Sequence, residues 1–263
     1  CLDLAVDAAR CDMSQHKNRM FWATQLYSGR IVAVIVGPPC ETYSAVRELP
    51  VDGGRRAPRP LRTRQEPWGK KGLSARELEQ VHTANILMGF ALDATLAMIQ
   101  VGGCCISEHP AEPRGCNSVS KWRLWQVKAL LACPAAHKYT FRQGVHGAGC
   151  SKPTTLLTVR LHQLRKYLYK AQIKLDPSTS EFEILKGRNN DGTWKTARAK
   201  EYPPSLCKAF ALALKDVFDE HHKFGRDVIR YDVDAKSFQD WVVQHDPYSV
   251  QTSMHHDYSG PSA

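Results

Sequence analysis

Two short segments carry the residues most able to do chemistry. In the first, Gly37-Pro38-Pro39-Cys40-Glu41-Thr42-Tyr43-Ser44, a cysteine stands on a turn stiffened by two prolines. In the second, Ser107-Glu108-His109-Pro110, a carboxylate stands where an apolar run ends. A thiolate is a nucleophile, and a carboxylate can accept or move a proton. Together they could attack an electron-poor ring and supply a proton partner to a ring nitrogen. Each residue also has a plainer reading: Cys40 as a packed thiol behind a Pro-Pro corner, and Glu108 as a solvated strand end. A phosphate-cradling loop would need Cys-x5-Arg. Arg47 lies one position too far along, and no glycine intervenes.

Both segments need elements to position them. Residues 31–36 form a β-branched run without alternation, which predicts a strand covered on both faces, as in a parallel sheet. Gly37-Pro38-Pro39 stops it. A short helix is expected over residues 12–30, with Met20, Phe21 and Leu26 as its apolar positions. Residues 45–73 are rich in Arg, Pro and Gly and read as a long exposed loop. Ser74-Ala75-Arg76-Glu77 is a capping-box pattern that opens a helix to about residue 100, closed by Gly102-Gly103. Residues 104–107 read as a short buried strand closed by Glu108-His109-Pro110. The order strand, helix, strand then brings Cys40 and Glu108 to the carboxyl ends of two strands, where ligands bind in doubly wound sheets. Further on we expect a helix over 121–132, a strand near 139–142, a Gly-rich turn over 144–149 and a strand over 154–161. Residues 162–201 read as a small polar insert. Pro203 and Pro204 start a helix through about residue 218. The tail from about residue 247 is polar and reads as loose.

The chain has 263 residues, enough for a core that needs no staples. The net charge of +10 is clustered and points to a polyanionic partner, nucleic acid above all. Nine cysteines without a Cys-x-x-Cys pair support neither a zinc module nor a secreted disulfide framework. Buried thiols in a reducing compartment, nuclear or cytoplasmic, are expected. No metal is called for. The longest apolar run, residues 31–36, is of strand length, so no membrane partner is expected. The first residue is Cys1 rather than Met, which suggests a piece of a longer product.

The motifs, in order, resemble those of the cytosine-C5 DNA methyltransferase family. GPPCETYS is similar to the family's Pro-Cys motif, with Tyr43 and Ser44 in the aromatic and serine places. Ser107-Glu108-His109-Pro110 resembles its Glu-Asn-Val strand end. Residues 147–157 resemble its Pro-Gln-x-Arg-x-Arg segment, with Lys152 near the first Arg. Residues 201–209 resemble its last motif, Asn-x-x-Pro-Pro followed by a helix. Asp12 stands where the family keeps an acidic residue near the adenine of its cofactor. The matches are collinear over about residues 10–215, and the pattern also resembles methyltransferase-like segments of mobile-element polyproteins.

The resemblance implies an α/β fold, a doubly wound and mostly parallel sheet of the S-adenosylmethionine-dependent type with its N-terminal strand or strands missing. It implies one domain over 1–220 and a C-terminal extension over 221–263. It implies that Cys40 adds to C6 of a flipped-out cytosine, that Glu108 holds N3 and the exocyclic amine, and that Lys152 supports the adduct. S-adenosylmethionine would be the methyl donor, near Asp12, Pro38, Pro39 and Tyr202. DNA would be the partner, met by Ser44, Arg47, Arg55, Arg56, Arg59, Arg62 and Arg64. The protein would be a monomer or part of a polyprotein. Three departures stand out: no Gly-rich cofactor turn precedes Cys40, Glu41 replaces the usual Gln, and His109 replaces the usual Asn. The competing expectation is a catalytically inactive nucleic-acid-binding remnant within a mobile-element polyprotein.

Overall fold

The computed structural model describes residues 7–44, 47, 58–113, 119–173, 185, 189–193 and 195–224. The expectations for Arg55, Arg56 and the tail beyond residue 224 lie outside these. The described chain is an α/β structure built on a mixed four-stranded sheet.

The sheet starts from one parallel pair. Strand β1 (Ala33–Val36) runs beside β2 (Cys104–Pro110), and helix α3 (Ala75–Val101) carries the chain between them. Ser74 and Glu77 form the expected capping box: Glu77 N donates to the Ser74 hydroxyl, and Ser74 N donates to the Glu77 carboxylate. Gly102 ends the helix in the left-handed region at φ 84°, which glycine tolerates. The α3 stretch is long and apolar enough to cross a membrane, yet 67% of its apolar 18-residue window is buried inside the protein. It serves as a core helix.

Strands β3 (Ala136–Arg142) and β4 (Pro153–Val159) complete the sheet in the order β1-β2-β4-β3. Both β2–β4 and β3–β4 are antiparallel. The expectation of a mostly parallel sheet is therefore corrected. The physical reason is the short connection over residues 143–152, which is too short for a crossover helix, so the chain must turn back on itself. Strand β2 also runs on through Glu108, His109 and Pro110, because β4 pairs with each of them.

Helices cover both faces of the central strands. On one face Cys105, Leu157 and Val159 join the core beneath α3 and α4 (Trp125–Leu131). On the other, Cys104, Ile106 and Leu156 pack beneath α5 (Leu164–Lys170) and α6 (Pro204–Phe224). Arg160 locks β4 to α3 by donating to the carbonyls of Met98, Ile99 and Gly103. These bonds satisfy carbonyls that a helix end leaves open.

Four further expectations are corrected. Strand β1 pairs with β2 alone among the described residues, so Val32 and Ile35 are exposed rather than covered on both faces. Helix α2 (His16–Tyr27) buries Asn18, Arg19 and Leu26 and exposes Met20 and Phe21. Asn18 and Arg19 turn inward to bond the carbonyls of Ala9, Asp12, Met13 and Ser14. Residues 162–201 are not wholly a polar insert, since Leu164 and Leu168 of α5 enter the core against α6. The described part of the 45–73 loop is not all exposed: Leu61 and Arg62 are buried.

Candidate active site

Register explains how the turn that carries Cys40 starts beside Glu108. Val36 lies opposite Ser107 in the parallel pair, so the next residues, Gly37 and Glu108, emerge side by side at the carboxyl end of the sheet. A Cβ on Gly37 would stand 3.1 Å from the Tyr202 hydroxyl and 3.8 Å from Glu108 Oε2. Glycine is thus the residue that lets this corner close. Pro38 is buried, Pro39 and Cys40 are half-buried, and Tyr43 N donates to Cys40 O at 2.9 Å to close a four-residue turn.

Glu108 is the hub. Its side chain is 11% exposed and Lys152 Nζ stands 3.7 Å from its Oε1. Tyr202 donates its hydroxyl to Oε2 at 3.2 Å. Oε1 itself is buried and has no hydrogen-bond partner. Such an acceptor is costly to leave open. Lys152 is reached through backbone strain: its φ is 30°, a region that costs a non-glycine residue about 1–3 kcal/mol. Its ammonium also lies 5.4 Å over the Tyr202 ring.

Electrostatics set the resting state. Burial pushes the Cys40 thiol above its ordinary value, and the charges of Glu108 and Glu41 push it the same way, while Lys152 opposes them. Cys40 therefore rests as a thiol. Burial, then the Glu108 charge, drives the Tyr202 phenol far above its usual range, so it stays a donor. Cys40 and Tyr202 each feel the Glu108 charge. A groove of about 220 Å³ opens beside it, lined by Gly147, Ala148, Gly149, Lys152, Glu201 and Tyr202.

Other expected residues are placed elsewhere. Asp12 is committed locally: its Oδ1 accepts from Ser14 N and Oγ, and its Oδ2 from Gln15. Those bonds hold its carboxyl below the usual range. Tyr202, expected at a cofactor, spends its hydroxyl on Glu108. Arg47 donates to Glu41 O, Arg59 O and Gln80. Arg59 forks onto Glu77. Arg62 is buried, contrary to a role at the nucleic-acid surface. Arg64 is exposed and Ser44 is half-buried.

A second polar group lies on the opposite face of β2 and was not expected. Lys121 is fully buried and donates to Ser107 Oγ at 2.6 Å. Burial pushes it down to about 8. His109 is buried edge-on between Tyr43 and Trp122, with neither ring nitrogen bonded, and burial holds it well below its ordinary value. Alternation along β2 is the signal that separates Ser107 and His109 from Glu108. The thiol, carboxylate and ammonium can do nucleophilic addition with carboxylate support at a polar ring. Compared with known proteins, the chain matches no family model, no curated protein and no solved structure.

Proposed function

We propose that this chain is a cytosine-C5 DNA methyltransferase-like domain in which Cys40 adds to C6 of a flipped-out cytosine. The observation that carries the reading is the buried Glu108 Oε1 without a hydrogen-bond partner, beside the strand end that leads into the Cys40 turn. The strand ends, the collinear motifs and a Rossmann-like arrangement of β1, α3 and β2 support it.

The base must leave the stack to reach a buried thiol. Glu108 Oε1 takes a hydrogen bond from the exocyclic amine or from a proton on N3. Cys40 gives up its proton to solvent, and the resulting thiolate forms the S–C6 bond. The 5,6 double bond breaks, and its electron pair moves onto C5 and the ring. Lys152 offsets the negative charge, and Tyr202 keeps the other Glu108 oxygen in place. Collapse of the adduct reforms the double bond and releases Cys40.

The described residues do not fit S-adenosylmethionine. Asp12 is satisfied by Ser14 and Gln15, and Tyr202 by Glu108. No methyl-transfer step is derived through it. The same observation favours a second reading, a remnant that holds nucleic acid without chemistry. DNA carrying 5-azacytosine, whose ring nitrogen at position 5 takes up a proton and holds the adduct without methyl transfer, separates the two when mixed with the protein. A covalent adduct lost in Cys40→Ser supports catalysis. No adduct with DNA binding intact leaves the remnant.

A further inference from the structure

We propose that Arg62 is the positioning residue of the Cys40 turn, gripping that turn from within and fixing where the thiol stands. Arg62 is 3% exposed. Its Nε donates to Thr42 Oγ1 at 3.0 Å, and its guanidinium lies 3.9 Å over the Tyr43 ring. Thr42 and Tyr43 are the far half of the turn that begins at Cys40. One side chain thus holds both residues that follow Glu41.

The same guanidinium reaches two other segments. Nη1 donates to Pro67 O at 2.9 Å and to Asn85 Oδ1 at 2.7 Å, and Nη2 to Val81 O at 3.4 Å. Asn85 passes the restraint on by donating to Trp68 O at 2.8 Å. The Cys40 turn, residues 61–68 and α3 therefore meet at one cation. Pro38 and Pro39 stiffen the chain before Cys40, and Arg62 fixes it after.

A structural role alone accounts poorly for this choice. All four acceptors are neutral, and a buried guanidinium without a carboxylate is expensive compared with an apolar side chain of similar volume. Burial pushes Arg62 below its ordinary value, and Arg47 adds to that. What arginine supplies is direction, through a planar fork of fixed donors that also stacks on a ring.

The inference rests on Cys40 being the working thiol, and its test needs no methyl transfer. Alkylation of Cys40 by iodoacetamide, mapped by peptide mass spectrometry over about pH 6–10, reports the turn, with exposed Cys207 as reference in the same molecule. Cys40 faces Glu108, Glu41 and Lys152 as charged groups and Tyr202 as a phenol. In Arg62→Lys the Cys40 rate at neutral pH, relative to Cys207, rises roughly tenfold, as one lost charge-assisted hydrogen bond allows. Its pH midpoint falls as the turn leaves its buried place. Thr42→Val shifts both in the same direction by less. Folded variants with an unchanged rate ratio and midpoint overturn the proposal. Should Arg62→Lys fail to fold, Thr42→Val decides by the same criterion. Absence of a pyrimidine adduct in every variant, with the alkylation shift present, sinks the proposed function and leaves Arg62 in its role.

Discussion

Replacing Tyr202 by Phe removes one oxygen atom and little else. The ring keeps its edge-to-face contact with Phe210, at 5.9 Å between centroids, and its place beneath Lys152. What disappears is the donor to Glu108 Oε2 at 3.2 Å. Glu108 is 8% exposed, so water cannot take the donor's place freely. Its Oε1 already lacks a hydrogen bond, which leaves Lys152 as the remaining compensation. A hydrogen bond to a charged group contributes about 1.5–3 kcal/mol. For a domain of this size that corresponds to a melting point lower by about 3–12 °C. Urea denaturation of Tyr202→Phe, Glu108→Ala and the double variant measures it. A coupling energy of about 1 kcal/mol or more is expected between the two sites. A loss under about 0.5 kcal/mol with no coupling would refute the claim that Tyr202 holds the carboxylate.

Three further outcomes follow from the same geometry. Burial does most to keep the Cys40 thiol protonated and the Glu108 charge adds to it, so in Glu108→Gln iodoacetamide labels Cys40 faster at pH 8 than in the native chain, while adduct formation with DNA is lost; slower labelling would contradict the electrostatics. Lys121 releases its proton near about 8 in the fold and at 10.5 when unfolded, so the unfolded state binds more protons between these values and native stability rises with pH. Measured by urea between about pH 8 and 9, below the range where the raised thiols of Cys104 and Cys105 oppose it, that rise should vanish in Lys121→Met. Gly103→Ala would bring a Cβ within 2.5 Å of Met98 Sδ and 3.0 Å of Val32 O, and with Met98 fully buried the expected loss is about 1–3 kcal/mol, read by thermal melting.

Local features were legible in the sequence because their causes are local. The capping box at Ser74, the stop at Gly102 and the Pro-Pro corner depend on residues a few positions apart. The nearness of the Cys40 turn to Glu108 was legible because two strands joined by one long helix form a parallel pair, in which Gly37 follows Val36 where Glu108 follows Ser107. What escaped was the choice of partner across the chain. Periodicity says that a residue is buried, not against what. Arg62 carries a charge and sits in an Arg-rich stretch, yet Thr42, Pro67 and Asn85 offer it acceptors that only the folded loop brings together. Tyr202 reaches Glu108 from α6's entry, far along the chain. Lys121 opens a predicted helix, and nothing in that pattern shows that Ser107 receives it in the interior. The direction of β4 was recoverable, since the short connection from β3 excludes a crossover.

In the proposed reaction Cys40 forms a covalent bond to a pyrimidine with Glu108 in support. The decisive test is an intact-mass measurement of the protein after incubation with 5-azacytosine DNA, which holds a C6 adduct without methyl transfer. A protein–DNA adduct mapped to Cys40 is expected, absent in Cys40→Ser and in Glu108→Gln, with DNA binding retained in both. An adduct that persists in Cys40→Ser, or none at saturating DNA in the native chain, would contradict it.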